Sequence, residues 1–139
     1  MTKLLTEQDT EVFTQVSTIA QGFRDVAMQK SNFRTLDWLT EKLSILTGAF
    51  MYLTTRYNQV KSARDNNELS KYIQLKQDAV AAGDKFVSAS AERESAHEVR
   101  DLNEAEKVLE SYKDASDQGI LTAKKLIEVE LLELQREVK

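Results

Sequence analysis

The chain has 139 residues, about the length of one domain, and its 19 basic and 23 acidic residues give a net charge of −4. Four glycines and no proline leave few of the residues that tight turns between strands require, which argues against an all-β fold. The chain has no cysteine, so disulfides, thiolate metal sites and cysteine nucleophiles are excluded within it.

Apolar runs in this sequence are short. The N-terminal residues lack the apolar region of a signal peptide, and no uninterrupted apolar run approaches the ~18 residues of a membrane span. We therefore expect a soluble, cytoplasmic, helix-rich protein with no membrane partner.

The first predicted helix covers residues 7–30. Thr6 followed by Asp9 is a typical N-cap pattern, because the threonine hydroxyl accepts from the backbone at the helix start. Apolar residues then recur at spacings of three and four from Val12 to Ala27, which indicates one apolar helix face.

The second predicted helix covers residues 35–64 and carries the clearest heptad pattern in the chain. Its apolar residues also form a second, adjoining line, and two such lines favour a bundle or an oligomer. The pattern fits a seam inside one chain and a seam between subunits equally. The candidate seam residues are Leu39, Leu43, Leu46, Phe50, Leu53 and Tyr57.

The remaining elements are separated by three turn signals. The run Asp65-Asn66-Asn67-Glu68 favours a turn, and a short helix over 68–82 follows, ended by Gly83 as the C′ residue. Residues 84–87 are expected to be extended. Two further helices are predicted over 89–118 and 120–138, with Gly119 marking a kink or a turn between them.

Together these patterns predict an all-α fold, a single domain over residues 1–139 built as a long-helix bundle with heptad-like seams. A helix of about 50 residues would be roughly 75 Å long and would overhang a globule of this size. Self-association into a homo-oligomer is the natural way to bury that overhang.

Residues typical of catalysis are scarce. The only histidine, His97, lies three residues after Glu94, a spacing used by di-metal bundles, but a solvated surface histidine fits the surrounding arginines better. No phosphate-binding glycine motif or nucleophile elbow is present. We expect no enzyme activity, no metal and no cofactor.

Positive charge is concentrated in the middle of the chain, where residues 24–85 carry a net charge of +3, whereas residues 86–139 carry −5. Basic side chains beside the Tyr57 ring suit single-stranded DNA, because cations bind phosphate and the ring stacks on a base. In the structural alternative, Tyr57 belongs to the core and the cations lie at its rim. The candidate nucleic-acid-binding residues are Arg56, Lys61, Arg64, Lys71, Lys76 and Lys85.

Three short stretches resemble the recombination-mediator proteins of T4-like phages, the UvsY family. Trp38-Leu39 opens a long helix, Lys61-Ser62-Ala63-Arg64 closes it, and Lys85-Phe86-Val87-Ser88-Ala89 leads into a long helical region. The likeness covers roughly residues 33–130. This chain differs in the wider spacing of its basic pair and in an added helix at 66–82.

The resemblance implies an oligomeric helical protein that binds single-stranded DNA, in which Lys61 and Arg64 match the DNA-contacting basic pair. Such proteins help to load a recombinase and act on a single-strand-binding protein. The expected partners are therefore single-stranded DNA, a recombinase and a single-strand-binding protein. The expected location is then the cytoplasm of an infected bacterial host. The alternative hypothesis is a helical protein–protein interaction module, an anti-defence inhibitor or an adaptor, that acts through its acidic surface without binding nucleic acid.

Overall fold

The computed structural model describes residues 4–29 and 36–138 of the chain. Within these residues there are four helices and no strand, so the all-α prediction is confirmed as a helical bundle. The helices are α1 (Glu7–Gln29), α2 (Leu36–Ala82), α3 (Ser88–Glu98) and α4 (Arg100–Val138).

The start of α1 has the predicted cap. The Thr6 hydroxyl accepts from the backbone N–H of Asp9 at 3.1 Å, and the Asp9 carboxylate accepts from the backbone N–H of Thr6 at 2.9 Å. These reciprocal bonds form a capping box, which satisfies two backbone donors at the helix start.

The turn predicted at Asp65–Glu68 is wrong, because α2 is one helix from Leu36 to Ala82. The side chains of Asn66 and Asn67 are exposed, so water satisfies them without a local backbone bond. Arg64, one turn earlier, is held against α4 by an ion pair with Glu106. Packing across the bundle therefore outweighs the local turn preference.

The end of α2 follows the sequence prediction. Gly83 has φ 72°, its N–H donates to Val80 O at 3.2 Å, and the N–H of Asp84 donates to Ala79 O at 2.9 Å. This is a Schellman motif, in which glycine takes the left-handed conformation that other residues avoid. Val87, just before α3, is extended as expected.

The helix boundaries predicted for the C-terminal half are also corrected. The break falls at Val99, between α3 and α4, whereas α4 continues through Gly119. Val99 is buried and has φ −104° and ψ 16°, so the chain bends there without leaving the core. A Cβ on Gly119 would lie 3.1 Å from Leu46 Cδ2, so this glycine allows close helix packing rather than a turn.

Helix α2 runs antiparallel to both α1 and α4. Asp9 near the start of α1 meets Arg56, and Phe23 further along α1 meets Trp38. Leu46 of α2 likewise meets Gly119 halfway along α4, while Arg64 meets Glu106 early in α4. One end of the molecule is thus a three-helix bundle of α1, α2 and α4. At the other end, the last part of α2 forms a helical hairpin with α3 and the start of α4.

Two clusters of buried apolar residues form the core. The first lies where all three long helices meet, and the second lies between α2 and α4 nearer the hairpin. The first contains Val16, Ile19, Phe23, Leu39, Leu46, Ala49 and Ala123. The second contains Leu53, Val60, Ala105 and Leu109.

None of the helices in the described part of the chain combines the length and the apolar character that crossing a membrane requires.

Candidate nucleic-acid interface and association surfaces

Arg56 lies in a buried cluster at the junction of α1 and α2. Its Nε donates to Asp9 Oδ1 at 3.0 Å, and its Nη2 donates to Asp9 Oδ2 at 3.0 Å and to the carbonyl oxygen of Leu4 at 2.9 Å. The Tyr52 hydroxyl donates to the same carboxylate at 2.8 Å. Arg56, a sequence-predicted DNA contact, therefore ties the N-terminal segment to α2.

The ionisation of this cluster follows from its contacts. Burial alone would raise the pKa of Asp9, but hydrogen bonds from Arg56, the Thr6 backbone and Tyr52 outweigh it and lower the pKa below its ordinary value. Hydrogen bonding to Asp9 raises the pKa of Arg56. Burial, together with the bond to Asp9, raises the pKa of Tyr52. At neutral pH the cluster is a carboxylate, a guanidinium and a neutral phenol.

Arg64 is also engaged inside the chain. Its Nε lies 3.0 Å from Glu106 Oε2 on α4, and its Nη2 donates to Asp65 Oδ1 at 2.9 Å. Glu106 is only 8% exposed, so this ion pair is shielded from solvent on its α4 side. Arg64 thereby joins α2 to α4, and binding a phosphate would require giving up these acidic partners.

Lys61 lies beside an aromatic ring that a second lysine also approaches. The Nζ of Lys61 is 6.0 Å from the centre of the Tyr57 ring, and the Nζ of Lys113 on α4 is 4.7 Å from it. Lys61 is exposed, whereas Tyr57 and Lys113 are half-buried. The structure thus brings two ammonium groups and one aromatic ring together, with Lys113 as a member that the sequence analysis missed.

Lys71, Lys76 and Lys85 lie further along the hairpin. Lys71 is half-buried, and Lys76 and Lys85 are exposed. The Nζ of Lys76 is 6.0 Å from the centre of the Phe86 ring, which in turn meets the edge of Tyr72.

The six predicted cations do not form one patch. Helix geometry places Arg56 about 40 Å from the end of α2, because each residue adds about 1.5 Å along the axis. Acidic side chains interrupt the row of cations on the hairpin. They are Asp65, Glu68, Asp78 and Asp84.

The predicted seam of α2 divides into two groups. Leu39, Leu46 and Leu53 are fully buried within a single chain, against α1 and α4. Leu43, Phe50 and Tyr57 are half-buried. The buried group is unavailable to a second copy, and its contacts stabilise the chain itself.

Most of the large exposed apolar side chains lie toward the two ends of the molecule, and Met51 in the middle of α2, which is 65% exposed, is an exception. On the hairpin Leu69 is 59%, Ile73 45% and Val80 71% exposed, and near the end of α4 Leu131 is 47% and Leu134 44% exposed. The sequence predicts helices over both stretches, 68–82 and 120–138. Periodicity does not show whether a neighbouring helix covers an apolar face.

Acidic residues that the alternative hypothesis depends on are accessible. Glu92, Glu94, Glu98 and Asp101 on α3 and early α4 are exposed, as is His97 between them. Across residues 4–29 and 36–138, no group of three or more histidine, aspartate or glutamate side chains is arranged to hold a metal ion.

Comparison with protein-family models, with curated proteins and with solved structures finds no match to this chain. The resemblance to the UvsY family therefore stays a prediction based on three short stretches.

Proposed function

We propose that this chain is a non-enzymatic interaction protein, a helical rod whose two ends bind other proteins. The observation that carries the proposal is the pair of exposed apolar faces at opposite ends of a molecule whose middle is well packed. Exposed apolar faces of this kind are characteristic of surfaces that bind proteins. The exposed acids of α3 and α4 add charge selectivity, because they favour basic partners and repel acidic ones.

Site-specific photo-crosslinking in the cells that produce the protein tests this proposal. A photoreactive residue at position 73 or 131 is expected to form covalent adducts with protein, whereas one at Gln74, an exposed polar position on α2, is the matched control. Equal adduct yields at position 74 and at the two end positions would contradict the proposal.

Binding of single-stranded DNA is the second candidate, favoured by the cluster of Tyr57, Lys61 and Lys113. Two cations at one ring are chemically suited to a phosphate and a stacked base. Loading of a recombinase and action on a single-strand-binding protein extend this candidate and remain predictions from the family resemblance.

Fluorescence anisotropy with a labelled single strand across a salt series tests the second candidate. The expected result is binding that weakens steeply with salt and falls about tenfold in a Lys61→Ala/Lys113→Ala variant, because each cation contributes to phosphate binding. Lys125→Ala, which removes an exposed lysine of α4 outside the candidate nucleic-acid-binding residues, is the control and should have little effect. No affinity at low salt would remove this candidate and leave the first.

A further inference from the structure

Two apolar stripes toward opposite ends of this chain each include one charged residue, and the two charges are opposite. The tip face consists of Leu69, Ile73 and Val80 near the end of α2, together with Lys76. The tail face consists of the exposed Leu131 and Leu134 near the end of α4, together with the half-buried Glu130 and Ile127, of which Ile127 packs against the first core cluster. Residues spaced by three, four or seven share one face of a helix, so each set forms a continuous stripe.

The charged residue has the same position in both stripes. Lys76 lies three residues after Ile73 and four before Val80, and Glu130 lies three residues after Ile127 and four before Leu134. Neither Lys76 nor Glu130 forms an ion pair within the described residues.

A single chain cannot bring its own two faces together. Leu46 packs on Gly119 and Arg64 pairs with Glu106, so α4 residues beyond Gly119 lie at the end of the rod where α2 begins. Ile73 lies 37 residues beyond Leu36, which corresponds to about 55 Å along a continuous helix. The faces therefore have to pair between molecules.

Charge decides which faces pair. Two tip faces in contact would bring lysines together, and two tail faces would bring glutamates together. Repulsion between like charges therefore disfavours both symmetric arrangements. A tip against a tail places Lys76 near Glu130 and covers apolar residues from both chains.

We propose that this protein associates head to tail, with the tip face of one copy bound to the tail face of the next. The inference rests on the proposed function and names a second copy of the chain as a partner. Each contact leaves one tip and one tail free, so association continues into a ring or a filament instead of stopping at a dimer. The contact area is small, so assembly depends strongly on protein concentration.

Sedimentation velocity on the purified full chain is the first test. The average mass is expected to rise beyond that of a dimer between about ten micromolar and about one millimolar, as a small interface implies. A chain that stays monomeric throughout, while positions 73 and 131 still crosslink to other proteins in cells, would overturn this inference and leave the proposed function standing.

Mixing two variants tests the head-to-tail arrangement. Ile73→Asp disrupts the tip face and Leu131→Asp disrupts the tail face, so each variant alone is expected to be monomeric. An equimolar mixture should form a dimer and no larger species, because one intact tail meets one intact tip. Self-association of either variant alone, or a mixture that stays monomeric, would overturn the proposal.

Controls and a charge exchange complete the test. Gln74→Asp and Leu132→Asp change exposed residues on other faces of the same helices and should assemble as the unmodified chain does. Lys76→Glu or Glu130→Lys should weaken association roughly fivefold to tenfold, and combining them should restore it. Circular dichroism establishes that each variant remains helical. A double variant as weak as the single ones would contradict the pairing of Lys76 with Glu130.

Discussion

Asp9 is the residue through which the start of α1 is joined to α2. Its side chain is fully buried and accepts hydrogen bonds from Thr6, Tyr52 and Arg56. A buried carboxylate is tolerated only when donors replace the water that it has lost. These donors serve that purpose, and Arg56 supplies two of them, from Nε and Nη2.

Asp9→Asn should lower the free energy of unfolding by about 3 kcal/mol, because Arg56 loses its charged partner in a largely buried place. Urea unfolding at neutral pH measures the change. Glu104→Gln is the control, since the Arg100–Glu104 pair is 68% and 64% exposed and such a pair contributes well under about 1 kcal/mol. Equal effects of the two substitutions would contradict the structural role of Asp9.

The lowered pKa of Asp9 predicts a pH dependence of stability. A carboxyl whose pKa is lower in the folded chain contributes its full stabilisation above its ordinary value of 3.8 and loses it as the pH falls through the lowered value. The stability difference between the unmodified chain and Asp9→Asn should therefore be largest at neutral pH and shrink toward about pH 2. Urea unfolding across that range measures it, and a difference independent of pH would refute it.

At the scale of single elements, glycine has two different roles in these helices. Gly119 lies in α4 against the fully buried Leu46, whereas a Cβ on Gly48 in α2 would meet no atom within 4 Å. By helix propensity alone, glycine is unfavourable at both positions. Only the distance to the neighbouring helix distinguishes them.

Gly119→Ala and Gly48→Ala should change stability in opposite directions. Alanine favours the helix by about 1 kcal/mol in both places, so Gly48→Ala should raise the unfolding free energy by about that amount. At Gly119 the new methyl group presses on Leu46, and overpacking should outweigh the gain and leave a net loss of about 1 kcal/mol. Urea unfolding of both variants provides the comparison, and stabilisation by Gly119→Ala would show that Leu46 moves aside freely.

The whole molecule is unevenly packed along its length. The apolar core clusters occupy the three-helix end and the middle, and no residue of α2 beyond Val60 is buried. The hairpin beyond that point depends on α3, the Arg64 ion pair and the aromatic contact of Tyr72 with Phe86. Stability should therefore decrease toward the hairpin tip.

Amide hydrogen exchange should show this gradient. Amides in residues 69–82 are expected to exchange faster than those in residues 46–60, because few buried contacts oppose local opening near the tip. Mass spectrometry of peptides from the two halves of α2 measures it at low protein concentration. Uniform protection along α2 would mean that the helix opens only as one unit.

The sequence alone determined the features that depend on neighbours within about one helical turn. The capping box of Thr6 and Asp9, the end of α2 at Gly83 and the apolar positions of α2 all follow from local backbone chemistry and helical periodicity. These features were enough to predict the all-α fold.

The tertiary structure decided what happens between residues distant in the chain. Helix α2 continues through Asn66 and Asn67, and Gly119 is a packing position in α4. Arg56 pairs with Asp9, and Arg64 pairs with Glu106. The sequence around each arginine does not contain this information, because a cation on a helix face has the same pattern whether its partner is an acid on another helix or a phosphate. Burial and ion pairing depend on which helices come together, and that is set by the packing of the whole chain.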